Sequence, residues 1–279
     1  MRKSKLQPQS HSDQSTHRLL QGRTILITRA LAQSEELTSI LTNFGAQVLH
    51  CPTIEIIEPD SWSAIDYAIE RLDSYNWIVF TSANGVEFFF RRLEERSAIY
   101  PSDRASTFAI GPATARALKE RNARVDLVAE DSKAEGALAA ITIHAGGEEK
   151  LRGIKFLMPR ARVARDYLAR ELVRLGAQVD AVETYQTVKP DIEGDAIIKI
   201  FKEQIIDVIT FTSSSTVSNF ASLLGTKDLS LLLERTLVAC IGPVTAATAS
   251  RYGLNHVLQP ETYTTHALVK VIIESLGNK

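Results

Sequence analysis

A chain of 279 residues is longer than one hydrophobic core ordinarily supports, and it predicts two domains of common size. With 44% hydrophobic and 23% charged residues and no apolar run near the ~20 residues of a membrane helix, it reads as a soluble globular protein with no membrane contact. From residue 22 onward it carries 28 basic and 32 acidic residues, which argues against nucleic acid as a partner.

Residues 1–21, "MRKSKLQPQSHSDQSTHRLLQ", are polar and lack the apolar core of a secretory signal. They are predicted as a disordered tail on a cytoplasmic protein, with organelle targeting by the tail as the alternative. "TILIT" (24–28) is an apolar run suited to a strand buried on both faces. An amphipathic helix follows with Leu37, Ile40, Leu41 and Phe44 at helical spacing, stopped by Gly45. "QVLHC" and "WIVFTS" (77–82) are further strands, the second leading to a helix with Val86, Phe89, Phe90 and Leu93 on one side. "TFAIG" (107–111) and "VDLVA" (125–129) complete the series around a helix that starts at Pro112.

The whole pattern then repeats. At an offset of 131, "GRTILITRA" falls on "GIKFLMPRA", "FGAQV" on "LGAQV", "VFTSANGVEFF" on "TFTSSSTVSNF", and "AIGPATARAL" on "CIGPVTAATA". One offset held through four separated segments marks a tandem duplication, roughly 22–145 and 153–276. Strands alternating with helices predict doubly wound parallel sheets, which bind ligands beyond the carboxyl ends of their strands. The repeated signatures stand at those ends. "PTIEIIEP" (52–59) and "VETYQTVKP" (182–190) break the pattern, end in matching prolines and suggest a two-stranded connector.

Each signature has two readings. The hydroxyls of Thr81-Ser82 and Thr212-Ser213 either cap the following helices or serve a ligand. The turns at Gly111 and Gly242 start helices, and their amides suit a carboxylate or phosphate. Arg29 and Arg160 end buried-type strands, where a guanidinium pairs with a nearby acid or grips a substrate carboxylate. Tyr185 packs in the connector or acts in the site. Cys51, Cys240 and the six histidines have no ligand spacing, so no metal is expected and a reducing compartment fits the thiols. Standard phosphate loops, the dinucleotide fingerprint and the nucleophile elbow are missing. Few acid–base candidates remain, which points to catalysis by holding a substrate's shape.

"ILITRA", "IVFTSANGV", "FAIGPATARAL", "ETYQTV", "ITFTSSSTV" and "CIGPVTAATA", in that order, resemble the uroporphyrinogen-III synthase family from Gly22 to about Leu276. The resemblance implies an α/β protein of two similar flavodoxin-like lobes with parallel sheets, joined by a two-stranded connector. Lobe one would hold 22–51 and 191–279, lobe two 60–182, and the linker 52–59 and 183–190. It implies dehydration and cyclisation of hydroxymethylbilane with inversion of its last ring, without cofactor or metal; a monomer is the default expectation. A transient contact with the upstream hydroxymethylbilane synthase is also expected. Tyr185 matches the family's tyrosine, read as an acid for the leaving hydroxyl. Thr114 and Thr245 match its threonines after the glycine turns, and Ser82 and Ser213 its strand-end hydroxyls. Thr81, Ala83, Gly111, Thr212, Ser214 and Gly242 join them as substrate-binding candidates, and so do Arg29 and Arg160. Two other classes stay open: a two-lobed small-molecule binding protein without chemistry, and a phosphate- or nucleotide-dependent enzyme using the glycine turns.

Overall fold

The computed structural model describes residues 18–129 and 134–277. Contacts divide the chain into two units, one running to Glu55 and resuming at Lys189, the other spanning Ile56–Val188.

The first unit contains β1 (Thr24–Ile27), α1 (Glu35–Asn43) and β2 (Gln47–His50). The second begins around β3 (Glu55–Ile57) and continues through α2 (Ser63–Ile69), β4 (Trp77–Phe80), α3 (Ala83–Glu95), β5 (Ser106–Ile110) and α4 (Pro112–Glu120). β6 (Leu127–Ala129), α5 (Ala134–Ala145), β7 (Lys155–Ala161), α6 (Tyr167–Arg174) and β8 (Gln178–Val188) complete it. The chain then returns to the first unit with α7 (Gly194–Glu203), β9 (Val208–Phe211), α8 (Ser214–Leu223), β10 (Leu237–Cys240), α9 (Pro243–Arg251), β11 (Val257–Leu258) and α10 (Thr265–Gly277).

Among the described residues the first unit holds a five-stranded sheet in the order β11-β10-β9-β1-β2, parallel throughout. The second holds the order β3-β8-β7-β4-β5-β6, in which the last five strands repeat that arrangement. In each unit the first strand–helix–strand of one copy pairs with the remaining strands of the other copy. The strand order therefore reverses between β1 and β9, and again between β7 and β4. Such reversals open a crevice at the carboxyl ends of the strands.

Alternation along the strands builds a core on each face. Ile78 and Phe80 face one cluster in the second unit, while Trp77 and Val79 face the other. Ile209 and Phe211 face one cluster in the first unit, and Val208 the opposite one. Fully buried Phe80, Phe89, Phe108 and Phe156 anchor the second unit, each stabilising it by roughly 2–3 kcal/mol through burial. Gly45 and Gly176 both end their helices at φ 87°, a conformation that favours glycine.

Three features differ from expectation. Residues 1–17 of the expected tail lie outside the described residues, but Leu20 is fully buried in the first unit's core and its amide donates to the Phe44 carbonyl. The two expected connector strands do pair, β3 beside β8, and they do so as the edge of the second sheet, with β8 running from Gln178 to Val188. Side chains fix that edge. Arg162 donates to Asp60 and to Gln186, and Gln186 donates to Asp60 and to the Glu58 carbonyl. Finally, the two glycine turns have diverged, with Gly111 at φ 84° and Gly242 extended at φ −175°.

Candidate active site

The strand ends of the second unit carry one tight constellation. β4 stops at Phe80, and Ser82 takes an extended backbone that lets its hydroxyl accept from the Gly85 amide at 3.1 Å, capping α3. The same hydroxyl lies 2.9 Å from the phenol oxygen of Tyr185. Tyr185 reaches it because β8 bulges: Arg160 pairs with Glu183 and Ala161 with Tyr185, so Thr184 is the extra residue. A bulge at a strand end re-aims the side chains beyond it. The Thr184 hydroxyl bonds back to the Arg160 carbonyl at 3.2 Å. Tyr185 is 7% exposed, and its ring stacks on Phe88 at 5.7 Å with 29° between planes. Arg91 lies 4.5 Å over the Phe88 ring and is held by Glu58 at 2.9 Å.

The matching positions of the first unit end otherwise. Ser213 caps α8 by accepting from the Thr216 amide, and the Thr216 hydroxyl accepts from the Ser213 amide in return. The Ser213 hydroxyl pairs with Ser215 at 2.9 Å, and Ser214 donates to the Val244 carbonyl at 3.0 Å. Capping is thus real in both copies. Only the second unit also joins its cap to a phenol.

Thr114 and Thr245 lie in the first turns of α4 and α9 at 3% and 4% exposure. Neither hydroxyl has a hydrogen-bond partner among the described residues, so each keeps its capacity for a ligand. The Gly111 amide donates to the Ala129 carbonyl at 2.8 Å, which leaves the α4 turn with the amides of Ala113 and Thr114 for an anion. Gly242 is packed under the Tyr263 ring, which a Cβ would approach to 3.0 Å. Thr81 is exposed, Thr212 and Ala83 are half-buried, and all three sit at their strand ends.

The two arginines part company. Arg160 donates to Asp166 at 2.5 Å, so a carboxylate already neutralises it. Arg29 donates to Gln33 at 3.2 Å and has no carboxylate within ion-pair distance among the described residues. Burial pushes its guanidinium below the ordinary arginine value, against the opposing pull of Glu36. A desolvated cation at a strand end is suited to an anionic ligand.

The sequence alone did not disclose Phe88, Arg91, Glu58 or the bulge at Thr184. Phe88 carried a faint signal, as an aromatic residue beside the core stripe of Phe89 and Phe90. Glu183 was also missed: one of its carboxylate oxygens is buried with no partner among the described residues. No group of three or more His, Cys, Asp or Glu suited to a metal occurs among the described residues, and none of their helices is long and apolar enough to cross a membrane.

Comparison with known proteins bears on the family and the fold. The family described as uroporphyrinogen-III synthase HemD matches residues 35–270. The uroporphyrinogen-III synthase of Synechococcus elongatus is 30% identical over 90% of this chain and 94% of its own length. Among solved structures, a mutant uroporphyrinogen III synthase from Thermus thermophilus covers 92% of this chain and all of its own, with a TM-score of 0.59 at 16% identity. The Helicobacter pylori uroporphyrinogen-III synthetase covers 91% of this chain and 99% of its own, with a TM-score of 0.55 at 15% identity. At such identities the structures speak to the fold, and both share the two-lobed α/β architecture.

Proposed function

This chain belongs to the uroporphyrinogen-III synthase family, and we propose that it is a cyclising hydro-lyase that converts hydroxymethylbilane to uroporphyrinogen III in tetrapyrrole biosynthesis. The reaction loses water and inverts the last ring, and it needs no oxidant or reductant. Tyr185 donates its phenol proton to the departing hydroxyl as the carbon–oxygen bond breaks. Ring closure later releases a proton from a pyrrole carbon, which restores the phenol. The observation that carries this reading is the Tyr185–Ser82 pair at the end of β4, on a fold shared with that family.

Each unit offers its own donors for substrate carboxylates: Arg29, Thr245 and the turn Thr212–Ser214 in the first, Thr114 and the turn Thr81–Ala83 in the second. Gly111 and Gly242 open the turns that carry the two threonines, and Arg160 adds a second guanidinium, already shared with Asp166. Backbone donors and one desolvated arginine suit a polyanion even though the net charge is −1. Most of the catalytic advantage then comes from orientation, which fits a site with few titrating groups. A cytoplasmic setting is supported by Cys51 and Cys240, which are free and buried, with burial pushing their thiols up to about 11 and about 12.

The test is the identity of the product. Hydroxymethylbilane is generated in situ, and the porphyrins obtained on oxidation are separated by chromatography. The inverted isomer is expected. Formation of only the uninverted isomer, which also arises without enzyme, overturns the reading.

A further inference from the structure

We propose that Ser82 is a positioning residue that sets the direction of the Tyr185 proton: its hydroxyl donates to Tyr185 Oη, so that the phenol O–H is presented to the substrate. The proposal rests on the reading of Tyr185 as the acid.

The geometry supplies a head-to-tail chain. The Gly85 N–H donates to Ser82 Oγ at 3.1 Å, and Ser82 Oγ lies 2.9 Å from Tyr185 Oη. An amide can only donate, so the Ser82 oxygen is already accepting. If its O–H donates onward, each link polarises the next. If Tyr185 donated instead, one serine oxygen would accept twice while its own proton found no partner among the described residues. The N-terminal end of α3, thirteen residues long, carries partial positive charge that favours electron density on the phenol oxygen. When the phenol proton passes to the leaving hydroxyl, water departs, Ser82 keeps its own proton, and the phenolate accepts its hydrogen bond.

The sequence around the pair fits this role. Position 85 is a glycine where the other copy has Thr216, the partner that completes the Ser213 capping box. A Cβ at Gly85 would stand 3.1 Å from the Pro159 carbonyl and 3.3 Å from Ser82 Oγ. The glycine removes the reciprocal half of the box and clears the space beside the serine. The phenol ring is meanwhile fixed by Phe88, itself covered by the Glu58-bound Arg91. Simple capping requires none of this, and the Ser213 cap has none of it.

Two variants and one spectrum test the proposal. Ser82→Ala is expected to lower kcat roughly tenfold with KM within about twofold, because it removes a bond that matters at proton transfer. Ser82→Thr, which keeps the hydroxyl, is expected to recover most of that loss. An unchanged kcat, or a rise in KM alone, overturns the proposal in favour of capping or substrate contact. Independently of turnover, ultraviolet resonance Raman of the tyrosine Fermi doublet separates a phenol that accepts a hydrogen bond from one that donates. The difference between wild type and Tyr185→Phe is expected to show an accepting phenol, and the same difference in the Ser82→Ala background is expected to lose that signature. A donating signature in the wild type overturns the proposal. An accepting signature in a protein that makes no inverted isomer leaves the bond direction standing and defeats the acid reading instead.

Discussion

At offset 131 the two copies can be read position against position. Tyr185 stands opposite Ile54, Phe88 opposite Asn219, Arg91 opposite Ser222, and Gly85 opposite Thr216. The second unit has therefore gathered a phenol, a stacking ring and a guanidinium at its switch point, while the first retains a self-contained capping box. The arginines diverge the other way, since Arg160 is held by Asp166 and Arg29 is left to Gln33. Duplication supplied two equal scaffolds, and divergence gave the buried phenol to one and the less neutralised cation to the other. Even the packing was traded: the Asp66–Arg92 pair of the second unit corresponds to the buried pair Ile197 and Leu223 of the first.

The largest effect is expected at the phenol proposed as the acid. Tyr185→Phe should lower kcat by roughly 10²-fold or more while leaving KM and melting temperature close to wild type, as read by formation of the inverted isomer. A drop in stability of comparable size would instead make the phenol a packing element. The glycine turns come next. Gly111 holds φ 84° and ψ 153°, a region other residues avoid, so Gly111→Ala should destabilise by about 1–3 kcal/mol in denaturant titration. Gly242→Ala needs no backbone change and meets only the exposed Tyr263 ring, so it should cost less than about 1 kcal/mol.

Arginine substitution sharpens the contrast at the strand ends. Arg29→Met should raise KM about tenfold, near the value of one charge-assisted hydrogen bond. Arg160→Met should raise it less, because Asp166 already neutralises that guanidinium; equal effects would refute the division between the copies. The smallest effect concerns acid. The Arg92 hydrogen bonds hold the Asp66 carboxyl below its ordinary value, so their contribution is full above the unfolded carboxylate value of ~3.9 and is lost as pH falls through the folded one. Asp66→Asn should therefore remove about 1 kcal/mol at neutral pH and flatten the acid limb of the stability curve. Converting the pair to the other copy's residues, Asp66→Ile with Arg92→Leu, should flatten that limb at little cost at neutral pH.

Much of this plan was legible in one chain. The constant offset located matching elements, and β4 with β9 and α4 with α9 begin and end at equivalent residues. Gly45 and Gly176 stopped their helices as glycine does. The exchange of strands between copies was not legible from periodicity, because a β1 that pairs with β9 has the same apolar pattern as one that pairs with β4. Only the family resemblance indicated it. Within the site, hydroxyls at strand ends were visible, but their use was not. Ser82 and Tyr185 are 103 residues apart, and their contact depends on a bulge that shifts β8 by one residue. The buried Glu183 oxygen without a partner among the described residues sits beside that bulge and has no sequence signature.

The most direct test of the division between the copies is the ratio of kcat for Ser82→Ala to kcat for Ser213→Ala, with the inverted isomer as readout. Both changes delete a helix cap and should cost similar stability, about 1 kcal/mol each. Only Ser82 touches the phenol, so the account predicts a ratio near one-tenth, with Ser213→Ala acting mainly on KM. A ratio of one would contradict it.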